Sequence, residues 1–411
     1  VSPLDHAPVG HSPLGGSATH RFMKCPGSVT LSHGIEDDES EHAARGTAAH
    51  KLGELCLITV RDAWTFIGEE IAEGFKVDKD MADAVQVYVD WIRKEFGRHL
   101  ANTESTLIEH SFHCPSLHPL YYGSLDFGRI NLVKRELTIV DYKHGMGVVV
   151  EVPWNPQCLY YAGGIMEKFD LWKLVDTIRI VIVQPRGWHY AGPVREWTIS
   201  TKDLDGWLVD TLLPAMDRAM VSNETVSGEH CRFCPARFRA CPQLKKDVEE
   251  FMAMADKIKA ASNIDPSAKI ADKAEAAVKG ANELTNAEVE RYLELEAVMK
   301  IVSAAVKKTA FNRLQHGATF EKWKLGPAKV NREWKPEAEA ALIKEYGAEA
   351  WKPSELKSPA EIETLPRGKD LAARYAFKPE AGLTLVPMSD ARPAVNRDTK
   401  SLFQPVKKSR N

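Results

Sequence analysis

The stretch that decides the fold runs from Gly123 to Gly164 and reads GSLDFGRINL (123–132), ELTIVDYKHG (136–145) and NPQCLYYAGG (155–164). At its centre, Ile139-Val140-Asp141-Tyr142-Lys143 has the apolar character of a strand, with two charged residues two positions apart. Side chains alternate faces along a strand, so Asp141 and Lys143 share one face while Val140 and Tyr142 share the other. The preceding run, YYGSLDFGRINL (121–132), is also strand-like, and Lys134-Arg135-Glu136 supplies polar turn character between the two. A hairpin there brings Asp126 beside Asp141.

Two carboxylates held close together in a partly buried place repel, and each resists ionisation unless a cation lies between them. Hard oxygen ligands with water-filled remaining positions suit Mg²⁺ or Mn²⁺. Such an ion polarises a phosphoryl oxygen and makes a bound water more acidic, while a neighbouring lysine orients that water or stabilises the transition state. The chemistry expected is metal-assisted phosphodiester hydrolysis. Alone, D-x-K is a weak signal and more often an ordinary ion pair on a surface hairpin.

Its company strengthens it. Upstream, EHAARGTAAHKLGELCLIT (41–59) reads as a helix with Ala44, Ala48, Leu52 and Leu55 on one side, and with His50 and Glu54 sharing another face. Downstream, Asn155-Pro156 opens a helix that carries Gln157 and Tyr161 at i and i+4. G-T-A-A-H, G-S-L-D, D-Y-K and Q-C-L-Y-Y follow one another in that order, and together they resemble the RecB-like branch of the PD-(D/E)XK nuclease superfamily. The resemblance implies an α/β, restriction-endonuclease-like core in which a mixed sheet is flanked by helices. It implies His50, Asp126 and Asp141 as ligands of Mg²⁺ or Mn²⁺, helped by the Tyr142 carbonyl, and Lys143 as the catalytic lysine. Gln157 and Tyr161 would contact DNA and support the site. Glu109, in the strand-like run Thr106 to Phe112, either faces the site or is an exposed strand carboxylate.

The seven cysteines stand at 25, 56, 114, 158, 231, 234 and 241. Cys56, Cys114 and Cys158 are isolated in the sequence and read as small buried residues. The others are different: HCRFCPARFRAC (230–241) supplies three thiolates as C-x₂-C-x₆-C, and Cys25 is the natural fourth. Spacing alone leaves a structural zinc and an iron–sulfur cluster even. The chain is also similar to RecB-like exonucleases that carry a 4Fe–4S cluster, among them the AddB nuclease domain and the CRISPR spacer-acquisition nuclease. In those, one cysteine precedes the nuclease motifs and three follow. The resemblance therefore implies 4Fe–4S on Cys25, Cys231, Cys234 and Cys241, although the last spacing here is six residues where five is commoner. Arg232, Arg237 and Arg239, with Lys245 and Lys246, form either a solvated basic face or a rim that contacts DNA phosphates.

At 411 residues the chain exceeds one typical core. No run approaches the roughly 20 apolar residues of a membrane helix, and VSPLDHAPVGHSP lacks an apolar signal core, so a cytoplasmic protein without a membrane partner is expected. The net charge of −3 shows no broad positive excess, which leaves DNA to be gripped by local charge. The expected organisation is a nuclease core with its cysteine cluster over 1–250, and a mainly helical extension with a hairpin over 251–347. A C-terminal segment with a basic tail follows over 348–411. Within the core, a scaffold helix is expected at 78–100, strands near 175–184 and 188–199, and a helix at 201–221. Beyond it, helices are expected at 251–261, 267–280, 286–314 and 336–347, with the hairpin at 318–334. Residues 1–20 read as a loosely ordered arm, and the tail from Arg397 adds nonspecific DNA affinity.

Residues Leu383 to Ala394 resemble the terminal signature of a largely uncharacterised phage family of RecB-like proteins. The whole implies a phage-type, metal-dependent DNA exonuclease that generates single strands for recombination or replication, with a phage single-strand annealing or binding protein as a partner. The alternatives are a flap- or end-trimming endonuclease and a catalytically silent DNA-binding or assembly module.

Overall fold

The computed structural model describes residues 12–35, 41–100, 103–146, 148–262, 277–327, 333–335, 338–352, 355–377 and 383–387. The chain divides into two compact units, Val1–Val298 and Met299–Asn411.

The first unit is built on a five-stranded mixed sheet flanked by helices. Its strands are β1 (Thr106–His113), β2 (Tyr122–Asn131), β3 (Glu136–Tyr142), β4 (Thr177–Val183) and β5 (Val194–Ser200), and they lie side by side in that order. The first three form an antiparallel meander, β4 runs parallel to β3, and β5 returns antiparallel to β4. The β2–β3 hairpin expected from the sequence is formed, with Phe127 opposite Val140 and Asn131 opposite Glu136. In its turn the Asn131 side chain accepts the Lys134 amide, and Arg135 takes the left-handed conformation that a tight reversal needs. The parallel β3–β4 pair requires a crossover, which helix α3 (Pro156–Lys168) supplies.

Strand alternation divides the core in two. Leu137, Ile139, Ile178, Ile180 and Ile182 face α3, whereas Val140, Tyr142, Val181 and Val183 face helices α1 (Glu41–Thr59) and α2 (Lys79–Phe96). Helix α2 begins where the Asp78 carboxylate accepts the Met81 amide, and it stops at Gly97, whose φ of 94° is closed to most L-residues. On α3, Gly163 and Gly164 let the helix approach the sheet: a Cβ on Gly164 would lie 2.1 Å from the Phe112 ring, and one on Gly163 2.6 Å from the Tyr121 hydroxyl. Gly164→Ala is therefore expected to cost about 1–3 kcal/mol through overpacking, despite alanine's better helix propensity. Chemical denaturation measures it; wild-type stability would mean that the α3–sheet spacing is looser than described.

The expected loose arm is corrected over its described part. Ser12 donates to the Leu120 carbonyl at 2.7 Å, Leu14 is fully buried in the α3-side core, and a Cβ on Gly16 would lie 2.6 Å from the Tyr161 ring. The small residues there serve close approach. His6, His11 and the rest of residues 1–11 lie outside the described residues.

In the second unit the hairpin expected over 318–334 is also corrected. Trp323–Pro327 pairs antiparallel with Leu383–Pro387, and Glu333–Trp334 pairs with Ala376–Phe377, so each half finds its partner far along the chain. A small core of Ala338, Leu342, Ala350 and Ile362 lies under the helix Ala338–Tyr346. The long helix expected near 286–314 spans Asn286–Gln315. Most of the helix expected at 267–280, part of the Leu383–Ala394 signature and the tail from Arg397 lie outside the described residues. Among the described residues, no helix is long and apolar enough to cross a membrane.

Candidate active site

The site forms where β1, β2 and β3 meet the middle of α1. Across β1 and β2, Ile108 pairs with Phe127 and His110 with Leu125, which sets Glu109 opposite Asp126 between them. Glu109 has a φ of 44°, an uncommon left-handed value for a side-chain-bearing residue in a strand. Helix α1 brings His50 to both acids: its Nδ1 lies 3.2 Å from Asp126 Oδ1 and 4.0 Å from Glu109 Oε1. The potential ligand atoms of His50, Glu109 and Asp126 all lie within 4.8 Å of one another. The His50 ring stands edge-on to Tyr142, with centroids 5.5 Å apart.

Asp126 is fixed from its other oxygen as well. Beyond the Phe127–Val140 pair, the Tyr142 amide donates to Asp126 Oδ2 at 2.7 Å, so a side chain takes the place of a ladder carbonyl. Asp141 is 2% exposed and pairs with Lys143, whose Nζ lies 2.8 Å from Oδ2 and 3.1 Å from Oδ1. Only the longer contact has hydrogen-bond geometry, which leaves Oδ2 buried, charge-paired and without a hydrogen bond. Lys143 Nζ also donates to Gln157 Oε1 at 2.7 Å, and Gln157 Nε2 donates to the Tyr161 hydroxyl at 3.0 Å. Asn155, by accepting the Cys158 amide, caps α3 and sets Gln157 in its first turn.

Charge is under tension here. Burial pushes the Glu109 carboxyl up, Asp126 adds to the effect, and it reaches about 8 although His50 opposes both. Burial works against a charged His50, yet Asp126 and then Glu109 outweigh it and hold the imidazole up at about 9. Asp126 is lowered despite its burial, because His50, Lys143 and the Tyr142 amide favour its ionised form. Burial raises Asp141 in spite of Lys143, with Asp126 contributing, and Lys143 is raised because Asp141 outweighs its burial.

At neutral pH this group therefore carries protons on His50 and Glu109, where a divalent cation would supply the positive charge instead. The donor set of one imidazole and two carboxylates, with Asp141 Oδ2 nearby lacking a hydrogen bond, fits Mg²⁺ or Mn²⁺. Ligands must be deprotonated to bind, so Mn²⁺ affinity is expected to rise with pH up to the values near 8 and 9 and to level off above them. Calorimetry in buffers of different ionisation enthalpy reads the released protons. A pH-independent affinity without proton release would contradict this arrangement.

Set against the sequence, His50 and Asp126 come together as expected. Asp141 lies beside them but outside the three-way group, turned toward Lys143, and Glu109 occupies the third position. Gln157 and Tyr161 support Lys143. Tyr161 is 8% exposed, which leaves little of it for contact with DNA.

The cysteine expectations can be placed as well. Cys25 follows the helix Thr19–Lys24, and its Sγ accepts the Val226 amide at 3.3 Å; Cys241 Sγ accepts the Leu244 amide at 3.4 Å. Burial raises the Cys25 thiol, with Cys234 and Cys241 adding, and Cys231 is pushed up to about 11 by burial and then by Cys234, Cys241 and Cys25. The four cysteines thus act on one another electrostatically, yet no three of their sulfurs lie within 4.8 Å of one another. Four thiolates are the donor set of a tetrahedral zinc or of a cubane cluster, and the sulfurs are spread more widely here than zinc would hold them. Cys56, Cys114 and Cys158 are buried, as expected.

The segment that follows Cys25 is pinned: the Gly27 amide donates to the Glu224 carbonyl at 2.8 Å, and a Cβ on Gly27 would lie 2.7 Å from that oxygen. Arg232 and Arg239 are exposed and Arg237 is half-buried. Arg232 and Arg237 lie 5.6 and 5.3 Å over the rings of Phe233 and Phe238.

Comparison with known proteins adds one relation. A family model described as "Protein of unknown function (DUF2800)" matches residues 11–393. No solved structure matches the chain.

Proposed function

Since the chain belongs to the DUF2800 family, whose function is unknown, its activity has to be argued from its own site, and we propose that it is a metal-dependent deoxyribonuclease with a RecB-like, PD-(D/E)XK core. The observation that carries the reading is the meeting of two sets at the β2–β3 hairpin: the His50–Glu109–Asp126 group, and Lys143 tied to Asp141 and Gln157. A surface ion pair would need neither the buried acids nor the glutamine support.

His50, Glu109 and Asp126, with Asp141 beside them, would hold Mg²⁺ or Mn²⁺. When bound, that ion polarises a phosphoryl oxygen and makes water more acidic. The chain's own contribution is positional and electrostatic. Lys143, oriented by Asp141 and Gln157, presents an ammonium to the charge that builds on a phosphodiester during cleavage. Gln157 is itself held by Tyr161, which fixes the lysine's direction, and the Tyr142 amide keeps Asp126 aimed at His50. Cys25, Cys231, Cys234 and Cys241 would hold a 4Fe–4S cluster, with structural zinc as the alternative, as a staple between the chain start and the segment after the sheet.

Cleavage from DNA ends, a phage role in recombination or replication, and an annealing-protein partner belong to the same proposal. They are supported by the sequence resemblance. The test is purified protein with Mn²⁺ on end-labelled linear DNA and on closed circular DNA. The expected result is shortening of the linear DNA with the circle intact. A nicked or linearised circle would replace exonuclease by endonuclease, and no cleavage of either would overturn the nuclease reading.

A further inference from the structure

Charge is divided unequally between the two compact units. Residues 1–298 carry 32 Lys and Arg against 44 Asp and Glu, whereas residues 299–411 carry 22 against 13. The chain's net −3 thus conceals −12 in the first unit and +9 in the second. A unit that contains the candidate site but is itself negative repels a polyanionic substrate over its surface at large. The positive field lies elsewhere in the chain, and such asymmetry points to nucleic acid or another polyanion.

Within the second unit, three of the 22 Lys and Arg residues line one concave feature. A cleft of ≈ 660 Å³ is lined by Lys335, Lys344, Arg374 and Tyr375, with Ala340 and Ala341 between them, and among the described residues no carboxylate lines it. Lys335 Nζ donates to the Arg374 carbonyl at 2.9 Å, which holds the two walls together. The Arg374 guanidinium lies 5.3 Å from the Tyr375 ring centroid. Glu345, next to Lys344, is engaged by Arg367 at 3.0 Å. Among the described residues, none of the three lining cations is ion-paired. Three unneutralised cations around one hollow repel one another, and a run of phosphates would supply the missing countercharge. The alanines leave room for a backbone to approach.

We propose that the second unit holds nucleic acid by its sugar–phosphate backbone, with Lys335, Lys344 and Arg374 as phosphate contacts in this cleft. The identity of the polyanion rests on the nuclease reading. The contacts are to phosphate, so the grip is independent of base sequence.

The test is binding of the full chain to a fluorescein-labelled duplex oligonucleotide in EDTA, read by anisotropy across a KCl series. Each lost phosphate contact lowers the slope of log K against log salt by about 0.9, so the triple variant Lys335→Gln/Lys344→Gln/Arg374→Gln is expected to lower it by about 2.7. Lys344→Glu alone, at an exposed position, guards against misfolding of the triple variant and is expected to weaken low-salt binding severalfold. Wild-type affinity and slope in both variants would overturn the inference, as would a loss confined to an Arg232→Gln/Arg237→Gln/Arg239→Gln protein. Because EDTA removes the need for cleavage, the two readings separate. A wild type that binds through the cleft but never cuts sinks the nuclease reading alone, and one that cuts while both cleft variants bind normally sinks this inference alone.

Discussion

Lys143→Gln is expected to lower the rate of DNA cleavage about 10²- to 10³-fold, the usual magnitude for removing one positioned electrostatic group from a transition state. Glutamine retains a donor toward Asp141 but not the charge. The choice of variant matters because Asp141 is 2% exposed and its only ionic partner among the described residues is Lys143. Lys143→Ala would leave a buried, unpaired carboxylate, a defect that commonly costs about 3–5 kcal/mol. The alanine protein is therefore expected to be less stable as well as inactive, with Asp141 taking up a proton to escape. Pairing it with Asp141→Asn should recover much of the stability and none of the activity. Cleavage rates on rigorously repurified proteins, together with denaturation midpoints, check both parts. Wild-type turnover in Lys143→Gln would remove Lys143 from the chemistry.

Cys25→Ala is expected to lose the brown 4Fe–4S absorbance and much of the first unit's resistance to protease. Cys56→Ala, Cys114→Ala and Cys158→Ala should keep the colour. Cys25 and Cys231 are 206 positions apart, so a shared cluster closes a very long loop, and metal binding becomes part of folding. The Gly27–Glu224 and Val226–Cys25 contacts already lay residues 25–27 against the segment that leads to the other ligands. Anaerobically purified protein that is colourless and contains stoichiometric zinc would refute the iron–sulfur assignment while keeping the staple. Full metal content and wild-type protease resistance in Cys25→Ala would refute the staple too.

The sequence was most legible where local periodicity and core placement agree. Strand alternation in Ile139 to Lys143 predicted which side chains share a face, and the polar turn at 134–136 predicted the hairpin that carries Asp126 toward Asp141. Helix α1 was readable from its apolar side, and the helix expected at 78–100 spans Lys79–Phe96. Glu109 was harder, because its place depends on the left-handed φ of one strand residue and on its register with β2. Its only early signal was an acid in a strand that must pair with the one bearing Asp126. The strands of the second unit were misread for a related reason. Trp323–Pro327 and Glu333–Trp334 are close in sequence, yet both pair with segments some forty to sixty residues on, and local pattern carries no information about such partners. Net charge misled in another way, since summing over 411 residues cancelled two opposite units.

The central claim is that His50, Glu109 and Asp126 hold a cation needed for phosphodiester cleavage. It is tested most directly by release of end label from linear DNA by wild type, Glu109→Gln and Asp126→Asn, each with Mn²⁺ and with EDTA. Release is expected from wild type in Mn²⁺ only, with severe loss in both variants, each of which removes a charged oxygen ligand. Release that persists in EDTA, or that proceeds at the wild-type rate in both variants, would contradict it.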